Sequence, residues 1–221
     1  MTRLGVVALG DSITLGEGSM ALGVTSLSWA QWLARTLDLP FTCYAVNGAT
    51  TFDVLHRQLP RVRAEYDVAT LYAGVNDVRN PAFDLVAYER DLDEVAAGLA
   101  RRAGRLLMLT LPHDLGRPSS APKPLQASGA VRRVAGRHGA VVADLSDFGG
   151  WTLVQPDIVH PTPPGQLEIA DRAARALGAT APPSALVAGR RRPGALFAAA
   201  HARAVARQLV RRARERALRS P

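Results

Sequence analysis

Residues 6–14 read VVALGDSIT, an apolar run that stops at a glycine and is followed at once by an acid and two hydroxyls. The apolar part, residues 4–9, is typical of a strand buried on both faces of a parallel sheet, and Gly10 permits a sharp turn at the end of that strand. Ligands bind outside the carboxyl ends of the strands in open parallel sheets. The stretch therefore predicts that Ser12 is a nucleophile presented at the rim of a sheet.

Further apolar runs alternate with helical patterns along the rest of the chain. We expect strands at residues 41–46, 68–72, 105–111 and 140–145, and helices at residues 28–37, 52–59, 83–102, 125–138 and 167–177. Such alternation requires a parallel sheet with helices on both faces. The predicted fold class is α/β, a three-layer α/β/α, flavodoxin-like arrangement around a parallel sheet of about five strands.

The formal net charge of +8 originates in the carboxyl-terminal segment. Residues 190–221 contain ten arginines and one acid, a local charge of +9, so residues 1–189 carry about −1. We expect one domain at residues 1–178, a Pro/Ala/Gly-rich linker at residues 179–192 and a basic, Arg/Ala-rich helix at residues 193–221. Nucleic-acid binding is not favoured, because the predicted domain has no basic surplus.

The basic helix leaves several partners open. A helix with an arginine stripe, here Arg203, Arg207, Arg211 and Arg214, and a partial apolar face could bind an anionic membrane surface, an acidic partner or nucleic acid, or lie solvated on the domain. The oligomeric state is not predicted. A single cysteine, Cys43, rules out an intrachain disulfide, and no apolar run has the length of a secretory or membrane segment. The expected location is cytoplasmic.

A serine is a weak nucleophile at neutral pH and needs a base that is itself held in place. Asp157 and His160 are three residues apart in DIVHP, residues 157–161. In one loop, the carboxylate can accept a hydrogen bond from imidazole Nδ1 while Nε2 faces Ser12. His113, just past the fourth predicted strand, is the rival base, although its neighbour Asp114 tends to point away from it in an extended loop.

Two other blocks supply donors for a developing oxyanion. Gly48, in NGAT at residues 47–50, has a backbone N–H that a substrate can approach without an intervening side chain. Asn76, in GVND at residues 74–77, carries a neutral carboxamide donor. Both blocks fall at the carboxyl ends of predicted strands, and a doubly wound sheet brings those ends together.

The order and context of the four blocks resemble the SGNH hydrolase family, also called GDSL esterases and lipases, over roughly residues 3–178. The resemblance implies the SGNH hydrolase fold and a serine hydrolase that cleaves a carboxylic ester of a lipid, a carbohydrate or a small molecule. It assigns Ser12, His160 and Asp157 as the catalytic triad of an acyl-enzyme mechanism. No metal or other cofactor is expected.

The resemblance also assigns supporting roles. The backbone N–H groups of Ser12 and Gly48 and the side chain of Asn76 are the expected oxyanion hole. Asp11 and Asp77 are expected to hold loops rather than to do chemistry. The expected specificity loops, residues 15–27, 78–83 and 112–124, identify no substrate.

Three alternatives remain open from the sequence. The same site could transfer an acyl group to an acceptor other than water, or the domain could be a catalytically idle binding module. A flavodoxin-like phosphate binder is weakened, because no glycine-rich phosphate-binding pattern follows the first predicted strand.

Overall fold

The computed structural model describes residues 2–16, 21–113, 122–187, 189 and 192–217. The strands are β1 Val6–Gly10, β2 Phe41–Cys43, β3 Tyr66–Tyr72, β4 Ala103–Leu109 and β5 Val141–Ala143. They form one parallel sheet in the order β2-β1-β3-β4-β5. β1 lies inside the sheet, and residues 6–9 are fully buried, as a strand covered on both faces requires.

The helices are α1 Ser12–Leu15, α2 Trp29–Thr36, α3 Thr51–Asp53, α4 Val75–Arg79, α5 Leu85–Ala100, α6 Pro122–Arg137, α7 Pro163–Ala176 and α8 Ala195–Ala217. α3 continues as a π turn, Val54–Gln58, and a 3-10 turn, Leu59–Arg61. α2 packs on α7, while α5 packs on α6 and on the segment that follows α3. The two groups cover opposite faces of the sheet, which confirms the predicted α/β/α class.

The start of α7 differs from the expected residue 167. Thr162 is the N-cap and its side chain accepts a hydrogen bond from Gly165 N at 3.2 Å, so that Pro163 and Pro164 occupy the first two helical positions. Proline is favoured there because the first turn of a helix has no acceptor for its N–H groups. The prolines therefore begin the helix, and the predicted start at residue 167 was wrong.

The described part of the carboxyl-terminal segment packs against the domain. Within the predicted linker, Pro183 is buried and Ser184 N donates to Asp171 Oδ1 at 2.8 Å. α8 then brings Phe197 against Trp151, with 5.8 Å between ring centroids. Arg203 and Arg207 of the predicted stripe are exposed, while the side chains of Arg211 and Arg214 lie outside the described ones. Among the described helices, α8 included, none combines the length and apolar character needed to cross a membrane.

The turn after β1 is fixed by a buried amide. Gly10 has φ 152°, and a Cβ added there would lie 2.3 Å from Tyr72 O, so only glycine fits. Gln58, also buried, accepts from Gly10 N at 2.9 Å and donates from Nε2 to Gly10 O at 2.8 Å. This paired contact holds the backbone immediately before Ser12.

Gln58→Leu should lower the free energy of unfolding by about 3 kcal/mol, because it removes two hydrogen bonds and leaves a buried N–H without an acceptor. Urea unfolding followed by circular dichroism measures the change. Gln126→Leu, on the exposed face of α6, is the matched control and should stay within about 0.5 kcal/mol of the parent. Equal stabilities of the two variants would contradict the role given to the buried amide.

Candidate active site

Ser12 lies at the first position of α1, immediately after β1. Asp11 is the N-cap of this short helix, and its Oδ1 accepts a hydrogen bond from Ile13 N at 2.9 Å. Ser12 Oγ lies 2.8 Å from His160 Nε2, although 148 positions separate the two residues along the chain. The strand, the glycine turn and the cap together place the hydroxyl at the rim of the sheet, in contact with an imidazole.

The second nitrogen of His160 contacts a carboxylate. His160 Nδ1 lies 2.5 Å from Asp157 Oδ2, while Asp157 Oδ1 accepts from Val159 N at 2.9 Å and His160 N at 3.0 Å. Burial alone would raise the pKa of Asp157, but the hydrogen bonds from the side chain and backbone of His160 and from Val159 outweigh it, and the pKa is lowered. An ionised carboxylate accepts the Nδ1 proton, so Nε2 is the nitrogen that accepts from a hydroxyl.

The loop that carries these two side chains is tightly closed. Gln155 N donates to His160 O at 2.7 Å, and Gln155 Nε2 donates to Pro161 O at 3.0 Å. Ile158, between the acid and the imidazole, has φ 58°, a left-handed conformation that is unusual for a β-branched residue. Such backbone strain persists only where the surrounding contacts impose it, and here it allows Asp157 to fold back onto His160.

Two of the three predicted oxyanion donors, Gly48 and Asn76, are linked through Ala49. Gly48 has φ 74° in the turn between β2 and α3, and an added Cβ would meet no atom within 4 Å, so backbone conformation rather than crowding selects glycine. Asn76 Nδ2 donates to Ala49 O at 3.0 Å and lies 3.4 Å from Asp11 Oδ2. Asn76 therefore connects the turn of Gly48 to the turn of Ser12.

Asp11 and Asp77 are both acids with raised pKa values. Asp11 is 1% exposed, and its pKa rises to about 7 because burial outweighs the hydrogen bond from Ile13 and the attraction of His160. Both oxygens of Asp77 accept from Thr51 N at 3.1 Å, and burial raises its pKa as well. The two carboxyl groups hold the turns that carry Ser12 and Gly48.

His113 lies elsewhere along the same rim. Its backbone N–H donates to Ser146 O at 3.0 Å, and its Nε2 is buried with no hydrogen-bond partner among the described residues. The neighbouring Asp114 lies outside the described residues. The structure therefore pairs the Ser12 hydroxyl with His160 and not with the rival imidazole.

Sequence reasoning missed two buried glutamines behind the site. Gln58 holds Gly10, as described above. Gln166, on α7, accepts from Trp29 N at 2.8 Å and donates to Ile13 O at 2.9 Å, which joins α7, α2 and α1. The sequence signal that could have indicated them is a glutamine on an otherwise apolar helix face. Such a face packs into the core, and both side chains are at most 3% exposed.

The model of the GDSL-like Lipase/Acylhydrolase family matches residues 8–167, a span that contains Ser12, Asp157 and His160. The chain belongs to this family. The resemblance predicted from the four sequence blocks is thereby confirmed, and the protein is a hydrolase of the esterase and lipase type. No curated protein matches the chain.

Solved structures share the fold at low sequence identity. The chain is similar to LAE5, an α/β hydrolase enzyme from the metagenome of Lake Arreo, Spain, with a TM-score of 0.67, 23% identity, and coverage of 80% of this chain and 96% of that one. It is also similar to Axe2, an acetylxylan esterase from Geobacillus stearothermophilus, with a TM-score of 0.64, 18% identity, and coverage of 80% and 97%. Three Axe2 variants are described as catalytic mutants, at a serine, an aspartate and a histidine, the last two three positions apart.

The buried carboxyl of Asp11 gives a pH-dependent stability that Asp11→Asn should remove. A folded-state pKa of about 7, above the ordinary 3.8, means that the stabilisation is full below pH 4 and is lost as the pH rises towards 7. Because asparagine does not ionise, the free energy of unfolding of the variant relative to the parent should rise by up to about 4 kcal/mol between pH 4 and pH 8.

Urea unfolding of both proteins at the two pH values tests this expectation. Glu94→Gln, at an exposed carboxylate of α5, is the control and should follow the parent at both values. Parallel pH profiles for the parent and Asp11→Asn would contradict the assigned burial of the charge.

Proposed function

We propose that this hydrolase cleaves carboxylic esters through an acyl-enzyme formed on Ser12, with His160 as general base and Asp157 as its orienting carboxylate. The observation that carries the proposal is a chain of two hydrogen bonds through the imidazole of His160. Ser12 Oγ lies 2.8 Å from His160 Nε2, and His160 Nδ1 lies 2.5 Å from Asp157 Oδ2. A hydroxyl, an imidazole and a carboxylate in this order are the parts of a serine nucleophile and its activating base.

In the first half-reaction, Ser12 Oγ attacks the ester carbonyl carbon while Nε2 of His160 takes the hydroxyl proton. The new Oγ–C bond and the lost π bond give a tetrahedral oxyanion. Its collapse breaks the bond to the leaving oxygen, which receives the proton from His160 and departs as an alcohol. In the second half-reaction water repeats the sequence, releases the carboxylic acid and restores Ser12.

The negative charge of the intermediate needs donors that are already in place. The Ser12 amide, in the first turn of α1, lacks an acceptor within its helix. Gly48 N–H lies on a turn that Asp77 holds through Thr51 N, and Asn76 Nδ2, on α4, lies 3.4 Å from Asp11 Oδ2. Preorganised donors of this kind stabilise the charge that appears only in the transition state, so they act on kcat rather than on substrate binding.

The named relatives give independent support. The catalytic mutants of Axe2 involve a serine, and an aspartate and histidine that have the same three-position spacing as Asp157 and His160. Axe2 is an acetylxylan esterase, which makes a small acyl group the first one to test on this protein. Acetyl esters are therefore the substrates chosen for the experiments below.

Ser12→Ala should abolish the hydrolysis of p-nitrophenyl acetate and the covalent labelling of the protein by a fluorophosphonate, because both reactions need the Oγ nucleophile. Rate assays and mass spectrometry of the labelled protein measure the two losses. Ser184→Ala, at a half-buried serine outside the site that keeps its backbone contact with Asp171, should retain both. Labelling of Ser12→Ala at the parental rate would exclude Ser12 as the nucleophile.

Asn76→Ala should lower kcat about 10²–10³-fold with little change in KM, because an oxyanion donor acts in the transition state. Steady-state kinetics on the same ester separate the two constants. The variant also loses the contact with Ala49 O, so its thermal midpoint is measured alongside. A rise in KM without a fall in kcat would assign Asn76 to substrate binding instead.

A further inference from the structure

A cleft of about 520 Å³ lies between α8 and the loop that follows β5. Its apolar lining consists of Phe148, Trp151, Val154, Ile158 and Val205. Five polar residues share the same walls: His113, Ser146, Asp147, Gln155 and His201. The volume and the combination of an apolar patch with polar groups are those of a small-molecule site.

The position of α8 against the domain is set by an aromatic cluster. The Trp151 ring is 5.8 Å from Phe197 and 5.9 Å from His201, and the rings of Phe197 and His201 are 6.2 Å apart. Contacts of this geometry stabilise beyond the area that they bury. They place Val205, one turn beyond His201, on the wall of the cleft, so a helix outside the family-matched residues 8–167 completes it.

The cleft shares a loop with the candidate triad. Gln155 and Ile158 line it, and both belong to the closed loop that carries Asp157 and His160. His113 and Ser146 bring the carboxyl ends of β4 and β5 to the same walls. Gly48 follows β2, which lies on the opposite side of β1 in the sheet. The cleft is therefore on the histidine side of Ser12, away from the turn of Gly48.

The position of the cleft relative to Gly48 and His160 indicates whether it binds the acyl or the alcohol portion of an ester. In the mechanism above, the oxyanion faces Gly48 and Asn76, and His160 returns its proton to the leaving oxygen. The alcohol portion must therefore lie beside His160, next to the loop whose Gln155 and Ile158 line the cleft. We propose that the cleft binds an apolar alcohol portion of the ester, with α8 as one of its walls; this inference rests on the proposed function.

The first test compares two ratios of kcat/KM, each between a pair of esters, in variants of the full chain. Val205→Trp fills the cleft from α8, and Gly149→Leu fills it from the loop after β5, where an added Cβ meets no atom within 4 Å. Leu196→Trp is the matched control, because Leu196 lies on α8 and is 89% exposed. The alcohol ratio is kcat/KM for 2-naphthylmethyl acetate divided by kcat/KM for ethyl acetate, and it measures the preference for the alcohol portion. The acyl ratio is kcat/KM for ethyl hexanoate divided by kcat/KM for ethyl acetate, and it measures the preference for the acyl portion.

The alcohol ratio should fall about tenfold or more in both cleft variants and stay unchanged in the control, the range expected when a pocket loses space for an apolar group. The acyl ratio should stay constant in all of them. A fall in the acyl ratio instead would overturn the assignment to the leaving group. A fall in Gly149→Leu alone would overturn the role of α8, and unchanged ratios in both variants would overturn the proposal as a whole.

A binding measurement separates this inference from the esterase mechanism. Isothermal titration of the unmodified protein with 2-naphthylmethanol should show binding that Val205→Trp weakens and Leu196→Trp leaves unchanged. Equal affinity in Val205→Trp would overturn the cleft assignment even if hydrolysis is confirmed. Binding of the alcohol by a protein that no fluorophosphonate labels would instead overturn the nucleophile assigned to Ser12 and support the cleft.

Discussion

The hydrogen bond between Ser12 and His160 joins residues near opposite ends of the family-matched chain, and most of the fold is needed to make it. β1 delivers the hydroxyl, while the loop before α7 delivers the imidazole. The intervening strands set the distance between these two points, since each crossover returns the chain to the same edge of the sheet. Their packed core fixes the rim to which both side chains belong.

Burial of the Asp11 carboxyl group at this rim costs free energy when the group is ionised. Asp11 is almost fully enclosed, next to His160, Asn76 and Asp77. Its oxygens nonetheless hold the first turn of α1 and lie near the amide of Asn76, so the same group orders both Ser12 and Asn76. Enclosure in a low-dielectric setting strengthens these contacts while it disfavours the charge.

The fold class and the pairing of Asp157 with His160 could be predicted because their signals are local. An apolar run before a glycine indicates a buried strand, and two residues between an acid and an imidazole let one loop hold both. The pairing of Ser12 with His160 is not local and was predicted from the resemblance of the four blocks to the SGNH hydrolases. For Gln58 and Gln166 the sequence shows a glutamine on an apolar helix face but not its partners, which are backbone atoms up to 48 and 153 positions away. The contact of α8 with Trp151 was equally inaccessible, since an arginine-rich helix with a partial apolar face does not specify where it packs.

The two buried glutamines anchor the turns around Ser12 through neutral amides rather than through ion pairs. An amide keeps the same donors and acceptors from acid to alkaline solution and is insensitive to added salt. The contacts of these two amides are thus decoupled from the ionic conditions of their surroundings, so a change of acidity reaches the turns around Ser12 through the carboxyl group of Asp11 and not through the glutamines.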